Sequence, residues 1–221
     1  MKKKHLAIVG ALGLLVVFAI GGYVYKQQRA EETEKMGKAS ESPLSRAYAQ
    51  TLGPADAKVV IVEFFDPGCE TCRMFAQPVK DLLAAYPGKV RLVKRYAPFH
   101  HGADKIVQIL EAARMQGKYW ETLEVLFARQ PQWASHHQPR PELVWQFLPA
   151  VGLDIERLRR DMNDPKSLAM VQQDMADAQT LGVHKTPGFF VNGKTMSSFG
   201  YQQLSALVAA EVQAQYGSQA N

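Results

Sequence analysis

The most conspicuous pattern in the chain is an uncharged run from Leu6 to Tyr25 (LAIVGALGLLVVFAIGGYVY), which follows Lys2, Lys3 and Lys4. As a helix, a stretch of about 20 apolar residues spans a bilayer core. A cleaved secretory signal uses a shorter apolar region of about 7 to 15 residues followed by a small-x-small site. Here the stretch ends in Tyr23-Val24-Tyr25-Lys26, with aromatic side chains of the kind that anchor at an interface. The pattern predicts a cytoplasmic N-tail and uncleaved transmembrane anchor over residues 1–25, with the body of the chain exported. Residues 26–50 are polar, of mixed charge and without a sustained apolar period, and read as a linker.

From residue 51 the pattern becomes that of a folded domain. Val59-Val60-Ile61-Val62-Glu63-Phe64-Phe65 is a nearly continuous β-branched and aromatic run between Gly53-Pro54 and Pro67-Gly68, the signature of a buried central strand. Phe75, Val79, Leu82, Leu83 and Tyr86 then recur at helical spacing, with Pro78 inside the pattern, and Val90–Tyr96 reads as a second strand. The stretch of about 100–182 is a helical insertion. Ile106, Ile109, Leu110 and Ala113 mark one helix, Leu123, Leu126 and Phe127 another, Leu143, Val144, Phe147 and Leu148 a third, and Ile155, Leu158 and Met162 a short fourth. A further helix starts with Asp164 as N-cap and Pro165 at the first position, ends at Gly182, and buries Leu168, Val171, Met175 and Ala178. Phe189-Phe190-Val191, Asn192-Gly193 and Lys194-Thr195-Met196 form a hairpin with type I′ turn chemistry. A closing helix over about 201–214 turns Leu204, Leu207, Val208 and Val212 inward. Strand–helix–strand, helical insertion, hairpin and helix make an α/β fold.

Composition narrows the class. With 221 residues, 47% hydrophobic and 21% charged, the chain has material for about one ordinary domain and an appendage. The net charge of +5 owes three units to Lys2, Lys3 and Lys4, so the rest stands near +2 and nucleic acid is not an expected partner.

Cys69 and Cys72 are the only cysteines, two residues apart at a strand-to-helix junction, in a body expected to leave the reducing cytoplasm. At a helix N-terminus, unsatisfied N–H groups and the macrodipole lower a thiol pKa, so Cys69 is the reactive sulfur. Cys72, one turn in, is placed to resolve a mixed disulfide formed at Cys69. A permanent staple closing so short a loop gives little stability, which argues against a merely structural bridge. Glu63, in the middle of an apolar strand, is costly there unless it has a task or partner; the bland alternative is a strand-edge acid facing solvent.

The runs IVEFFDPGCETC and GVHKTPGFFVNGK, with the long helical stretch between them, resemble the DsbA-like thiol:disulfide oxidoreductases of the thioredoxin superfamily over nearly all of residues 52–215. The resemblance implies a thioredoxin-like fold with a helical insertion for residues 51–221. It implies that Thr186-Pro187 is a cis peptide lying against the cysteines and docking an extended substrate. It also implies that Glu63 is a buried carboxylate assisting proton movement at Cys72. The dipeptide Glu70-Thr71 lacks the histidine of the best-known oxidases, and Glu70 brings a like charge near the Cys69 thiolate. His184, two residues before Thr186, is a candidate cation beside Cys69, so Glu70, Thr71 and His184 are the expected tuning residues.

His100-His101 and His136-His137 read as loop histidines, and no metal or cofactor is expected. The expected function is extracytoplasmic thiol–disulfide interchange on protein substrates, in a single-pass bacterial cytoplasmic-membrane protein recharged by a DsbB-like or DsbD-like membrane redox partner. Two alternatives use the same sulfurs: a dedicated reductase or isomerase for cytochrome or metalloprotein maturation, and a copper metallochaperone, for which His184 would be a third ligand.

Overall fold

The structure, a computed structural model, describes residues 13–28, 31 and 42–217. Residues 13–28 form a helix, α1, whose apolar side chains are exposed, Phe18 to 77%. Residues 6–12 of the expected anchor lie outside the described residues. Among those described, no helix is long and apolar enough to cross a membrane.

Five strands form one sheet in the order β1-β3-β2-β4-β5: β1 Gln50–Leu52, β2 Val59–Phe65, β3 Val90–Tyr96, β4 Gly188–Val191 and β5 Lys194–Thr195. The pair β2 and β3 is parallel, with Glu63 opposite Lys94 and Phe64 opposite Arg95. Antiparallel β4 holds the other side of β2, pairing Phe189 with Glu63. The strand with the most continuous apolar run is thus the middle one, buried on both faces, which excludes a solvent-facing Glu63. In the β4–β5 turn Asn192 and Gly193 both have positive φ, 48° and 82°, as a type I′ turn requires.

Period-two alternation divides the core. One face of the sheet (Val59, Ile61, Val90, Leu92, Phe189, Val191) packs on Phe75, Val79 and Leu82 of α2 (Glu70–Ala85) and on Leu204, Val208 and Val212 of α8 (Tyr201–Tyr216). The other (Val62, Phe64, Val93, Phe190) packs on Leu44, on Ala178 of α7 (Pro165–Thr180), and on Val183. The insertion contains α3 (Ala103–Arg114), α4 (Tyr119–Ala128), the single turn α5 (Gln130–Trp133), α6 (Ile155–Asp161) and α7. It has its own core around Ile106, Leu110, Leu126, Trp133, Leu148 and Leu158, and that core includes Cys69 and Cys72. The cysteines therefore sit where the two cores meet.

Three elements differ from the sequence reading. Leu143–Leu148 is not an α-helix but 3₁₀ turns, Pro141–Gln146 and Leu148–Val151, each with a proline in its first turn. Pro149 can neither donate to nor extend an α-helix from the first turn into the second. The buried stripe of α7 is Ser167, Asp174, Asp177 and Ala178, while Leu168, Val171 and Met175 are half-buried. Two arginines explain the buried acids: Arg95 of β3 bonds Asp174 and Asp177, and Arg46 bonds Asp177. That same Arg46, with buried Leu44 and with Tyr48 donating to Asp174, packs the chain from residue 42 onto the domain, ahead of the boundary expected at 51. Its polar composition disguised a segment whose partners are buried acids.

Candidate functional site

Cys69 is the N-cap of α2, with extended backbone (φ −78°, ψ 120°), and no side-chain oxygen caps the helix. An N-cap side chain ordinarily accepts from the second and third helical N–H groups. Here those belong to Thr71 and Cys72, and both lower the pKa of the Cys69 sulfur. Both cysteines are free thiols and buried.

The two sulfurs are driven apart electrostatically. Cys69 is brought well below an ordinary thiol, to about 5. The largest cause is a hydrogen bond from the Cys72 thiol; burial opposes it, and Thr186 and the backbone N–H groups of Cys72 and Thr71 add to it. Cys72 is pushed well up, chiefly by burial, then by its bond to Cys69 and by the negative field of Glu63. Around neutral pH Cys69 is the thiolate and Cys72 the proton donor.

Thr186 meets Cys69 across a cis peptide to Pro187, its carbonyl 3.3 Å from Sγ. That carbonyl accepts from the neutral thiol, while the lowering of the Cys69 pKa assigns the Thr186 side chain to the thiolate. The close approach joins residues more than a hundred positions apart in the sequence.

Glu63 is fully buried, and Lys94 donates to its Oε2 at 2.7 Å. Its Oε1 accepts no hydrogen bond from the described residues. Lys94, itself buried, lies 4.4 Å from the centre of the Phe65 ring. Both side chains line a cavity of about 350 Å³ walled by Ala76, Val79, Leu123 and Phe127. Lys94 was missed by the sequence reading, although a lysine inside the buried strand VRLVKRY was the available signal.

Of the tuning candidates, Thr71 contributes through its backbone. Glu70 turns toward the insertion, accepting from the His136 N–H at 3.1 Å, with its carboxylate 4.0 Å from His137. His184 is exposed and is not among the largest causes of the Cys69 shift.

The histidines the sequence left unconnected meet above the helix start. His100 and His137 stack with centroids 5.2 Å apart, and His100 Nδ1 is 2.7 Å from Asp66 Oδ2. Among the described residues no group of three or more His, Cys, Asp or Glu is arranged to hold a metal ion.

A parallel–antiparallel sheet with a helical insertion over a buried C-x-x-C at a helix N-terminus, faced by a cis-proline loop, defines the class: a DsbA-like thiol–disulfide oxidoreductase. The thioredoxin family matches residues 46–210, and the chain belongs to it. A thioredoxin-like oxidoreductase from Silicibacter pomeroyi DSS-3 superposes with a TM-score of 0.67 at 34% identity, over 76% of this chain and 94% of that one. Oxidised BdbD from Bacillus subtilis shares the fold, with a TM-score of 0.66 at 22% identity over 75% of this chain and 93% of its own. A Na(+)/H(+) antiporter NhaA of Herminiimonas arsenicoxydans is 31% identical over 92% of this chain, which spans only 33% of the antiporter's length.

Proposed function

We propose that the protein oxidises thiols of extracytoplasmic protein substrates, held at a bacterial cytoplasmic membrane by residues 1–25 with its catalytic domain on the outer side. A substrate thiolate attacks Sγ of Cys69 in the Cys69–Cys72 disulfide, forming the mixed disulfide and releasing Cys72, which takes a proton. A second substrate thiolate attacks the substrate sulfur of that bond, and Cys69 leaves as a thiolate. The substrate gains a disulfide, the protein gains two electrons, and a DsbB-like membrane partner removes them; a DsbD-like partner would supply electrons for the opposite, reducing direction. Thr186 and Pro187 dock the extended substrate, and Glu63, with Lys94, serves the proton exchange at Cys72.

The observation that carries the oxidising direction is the split between Cys69, at about 5, and Cys72, pushed up. At pH 7 a thiolate with that pKa favours the reduced dithiol by about two decades over an ordinary thiol, equivalent to about 60 mV. The disulfide form is correspondingly easier to reduce, as a disulfide donor requires. Glu70, the expected like charge beside Cys69, is turned toward the His136 and His137 segment, and it is not among the largest causes of the Cys69 shift.

Equilibrating the purified protein with a glutathione redox series tests the direction. A potential above the glutathione couple supports disulfide donation; one well below it makes the protein a reductase. Cys72→Ser should accumulate mixed disulfides with client proteins through Cys69, and trapping by Cys69→Ser instead would reverse the roles of the sulfurs.

A further inference from the structure

The turn that presents Cys69 consists of three consecutive peptide planes, each rigid in itself, so fixing a carbonyl fixes the N–H across the same bond. The middle plane is held from within the motif: the Cys69 N–H donates to the Asp66 carbonyl at 3.0 Å. The first and third planes have partners within the motif too, the Gly68 N–H donating to Asp66 Oδ1 at 2.7 Å and the Cys69 carbonyl accepting from the Arg73 N–H at 3.2 Å, and both are joined from outside it by one side chain, Gln130. This glutamine opens α5 in the helical insertion and is fully buried. Its Nε2 donates to the Pro67 carbonyl at 2.8 Å and to the Cys69 carbonyl at 3.0 Å. Its Oε1 accepts from Arg73 Nε, one turn into α2, at 3.0 Å.

The amide can take only one orientation here. Flipped, it would set an oxygen against two carbonyl oxygens and a nitrogen against a guanidinium, with no acceptor left. The insertion reinforces the same turn sterically: a Cβ on Gly68 would lie 2.5 Å from Pro139 Cγ. Fixing the Cys69 carbonyl sets how α2 leaves the N-cap, and so whether the N–H groups of Thr71 and Cys72 point at Sγ.

We infer that Gln130 is a positioning residue for the redox turn, aligning the backbone donors of α2 on the Cys69 sulfur from the insertion. It acts through backbone planes and touches neither substrate nor sulfur. A role of this kind rests on the exchange chemistry proposed above, but its consequence is a property of Cys69 alone, readable without any client protein.

The test is the ultraviolet thiolate titration of the reduced full-length protein, together with its iodoacetamide alkylation rate at pH 5. Gln130→Met fills nearly the same space without donors. It should raise the Cys69 midpoint by about 0.5 to 1 unit and slow alkylation at pH 5 about two- to sixfold, as thiolate fraction dictates. Gln130→Glu keeps the shape and the Arg73 contact but loses both donors, and should raise the midpoint further. Arg73→Lys retains the positive charge and leaves the interior filled, and should give a smaller rise in the same direction. Val144→Ala, a truncation in the buried core of the insertion, controls for general loosening and should leave the midpoint in place.

Titration of the folded variants at the wild-type midpoint would overturn the inference, as would an equal shift in Val144→Ala. If neither Gln130 variant folds, Arg73→Lys decides by the same readout. A wild-type midpoint that is not depressed defeats the oxidising direction proposed above, whereas a depressed midpoint indifferent to Gln130 and Arg73 defeats only this assignment.

Discussion

Lys94 and Arg95 are neighbours on β3, yet alternation sends them to opposite faces of the sheet, and the two faces treat buried charge differently. On the α7 face every nitrogen of the Arg95 guanidinium is bonded. Its Nε and Nη2 bond Asp174 Oδ1 at 2.9 and 2.7 Å, Nη2 also bonds Asp177 Oδ2 at 2.6 Å, and Nη1 bonds the Pro43 carbonyl at 2.7 Å. The acids are shared out too: Asp174 Oδ2 accepts from the Tyr96 N–H, and Asp177 Oδ1 from Arg46 and Gln173. On the α2 face Lys94 meets one carboxylate oxygen of Glu63, and the other goes without a partner among the described residues. A filled network fixes a structure; an unfilled one is costly and is found where a group must change its proton. The difference separates a strap that holds residues 42–48 and α7 to the sheet from an ion pair whose field reaches Cys72.

The largest effect expected from this division is on stability. Removing one partner of a buried ionic network leaves uncompensated charge, at a cost of about 3 to 5 kcal/mol. Arg95→Ala should lose about that much in denaturant unfolding, while its folded fraction exchanges disulfides and titrates Cys69 as the wild type does. A loss under about 1 kcal/mol, or a displaced Cys69 midpoint, would break the division at its strongest point.

The second prediction runs the other way. Replacing a buried pair by apolar residues of similar volume is often neutral or stabilising by about 1 to 4 kcal/mol. The double variant Glu63→Leu with Lys94→Met should unfold at the same denaturant concentration or higher, yet the proton exchange proposed for Glu63 requires that disulfide exchange slow at least about tenfold. Glu63→Leu alone, leaving Lys94 buried and unpaired, should be less stable than the double variant. Wild-type exchange in the double variant would make the Glu63–Lys94 pair as structural as the Arg95 network.

Legibility in the sequence followed the same line. Cys69-x-x-Cys72 after an apolar strand, Glu63 within that strand, and Thr186-Pro187 before the next are local patterns, and each lies at the site. What stayed hidden are partners chosen by register and by the path of the insertion. The Glu63–Lys94 pair depends on β2 and β3 running parallel in one particular alignment. Gln130, Asp174 and Asp177 are polar residues on helices, and a pattern rule assigns such residues to solvent. Arg46 and Tyr48 sit in a stretch whose composition is that of a tether. A sequence states which side chains dislike water more clearly than which buried polar groups will find each other.

The smallest expected effect comes from pH, and it again separates the faces. Burial pushes the Asp177 carboxyl up, but the bonds from Arg46, Arg95 and Gln173 outweigh it and leave its pKa below the ordinary carboxylate value. A carboxyl depressed in the folded state contributes stability that is present above its unfolded value of about 3.9 and is lost as pH falls through the folded value. Asp177→Asn should therefore be less stable than wild type at neutral pH by about 1.5 to 3 kcal/mol, the scale of a hydrogen bond to a charged group. The gap should narrow below about pH 4, as the wild-type acid takes up its proton. Over that range the Cys69 midpoint near 5 should be the same in both proteins. Cys69 titrates on the far side of the sheet, in the field of Cys72 and Thr186 rather than of α7. A gap that persists undiminished into acid would mean that the asparagine costs packing rather than charge. A displaced Cys69 midpoint would mean that β3 transmits charge from one face to the other, and that the two networks behave as one.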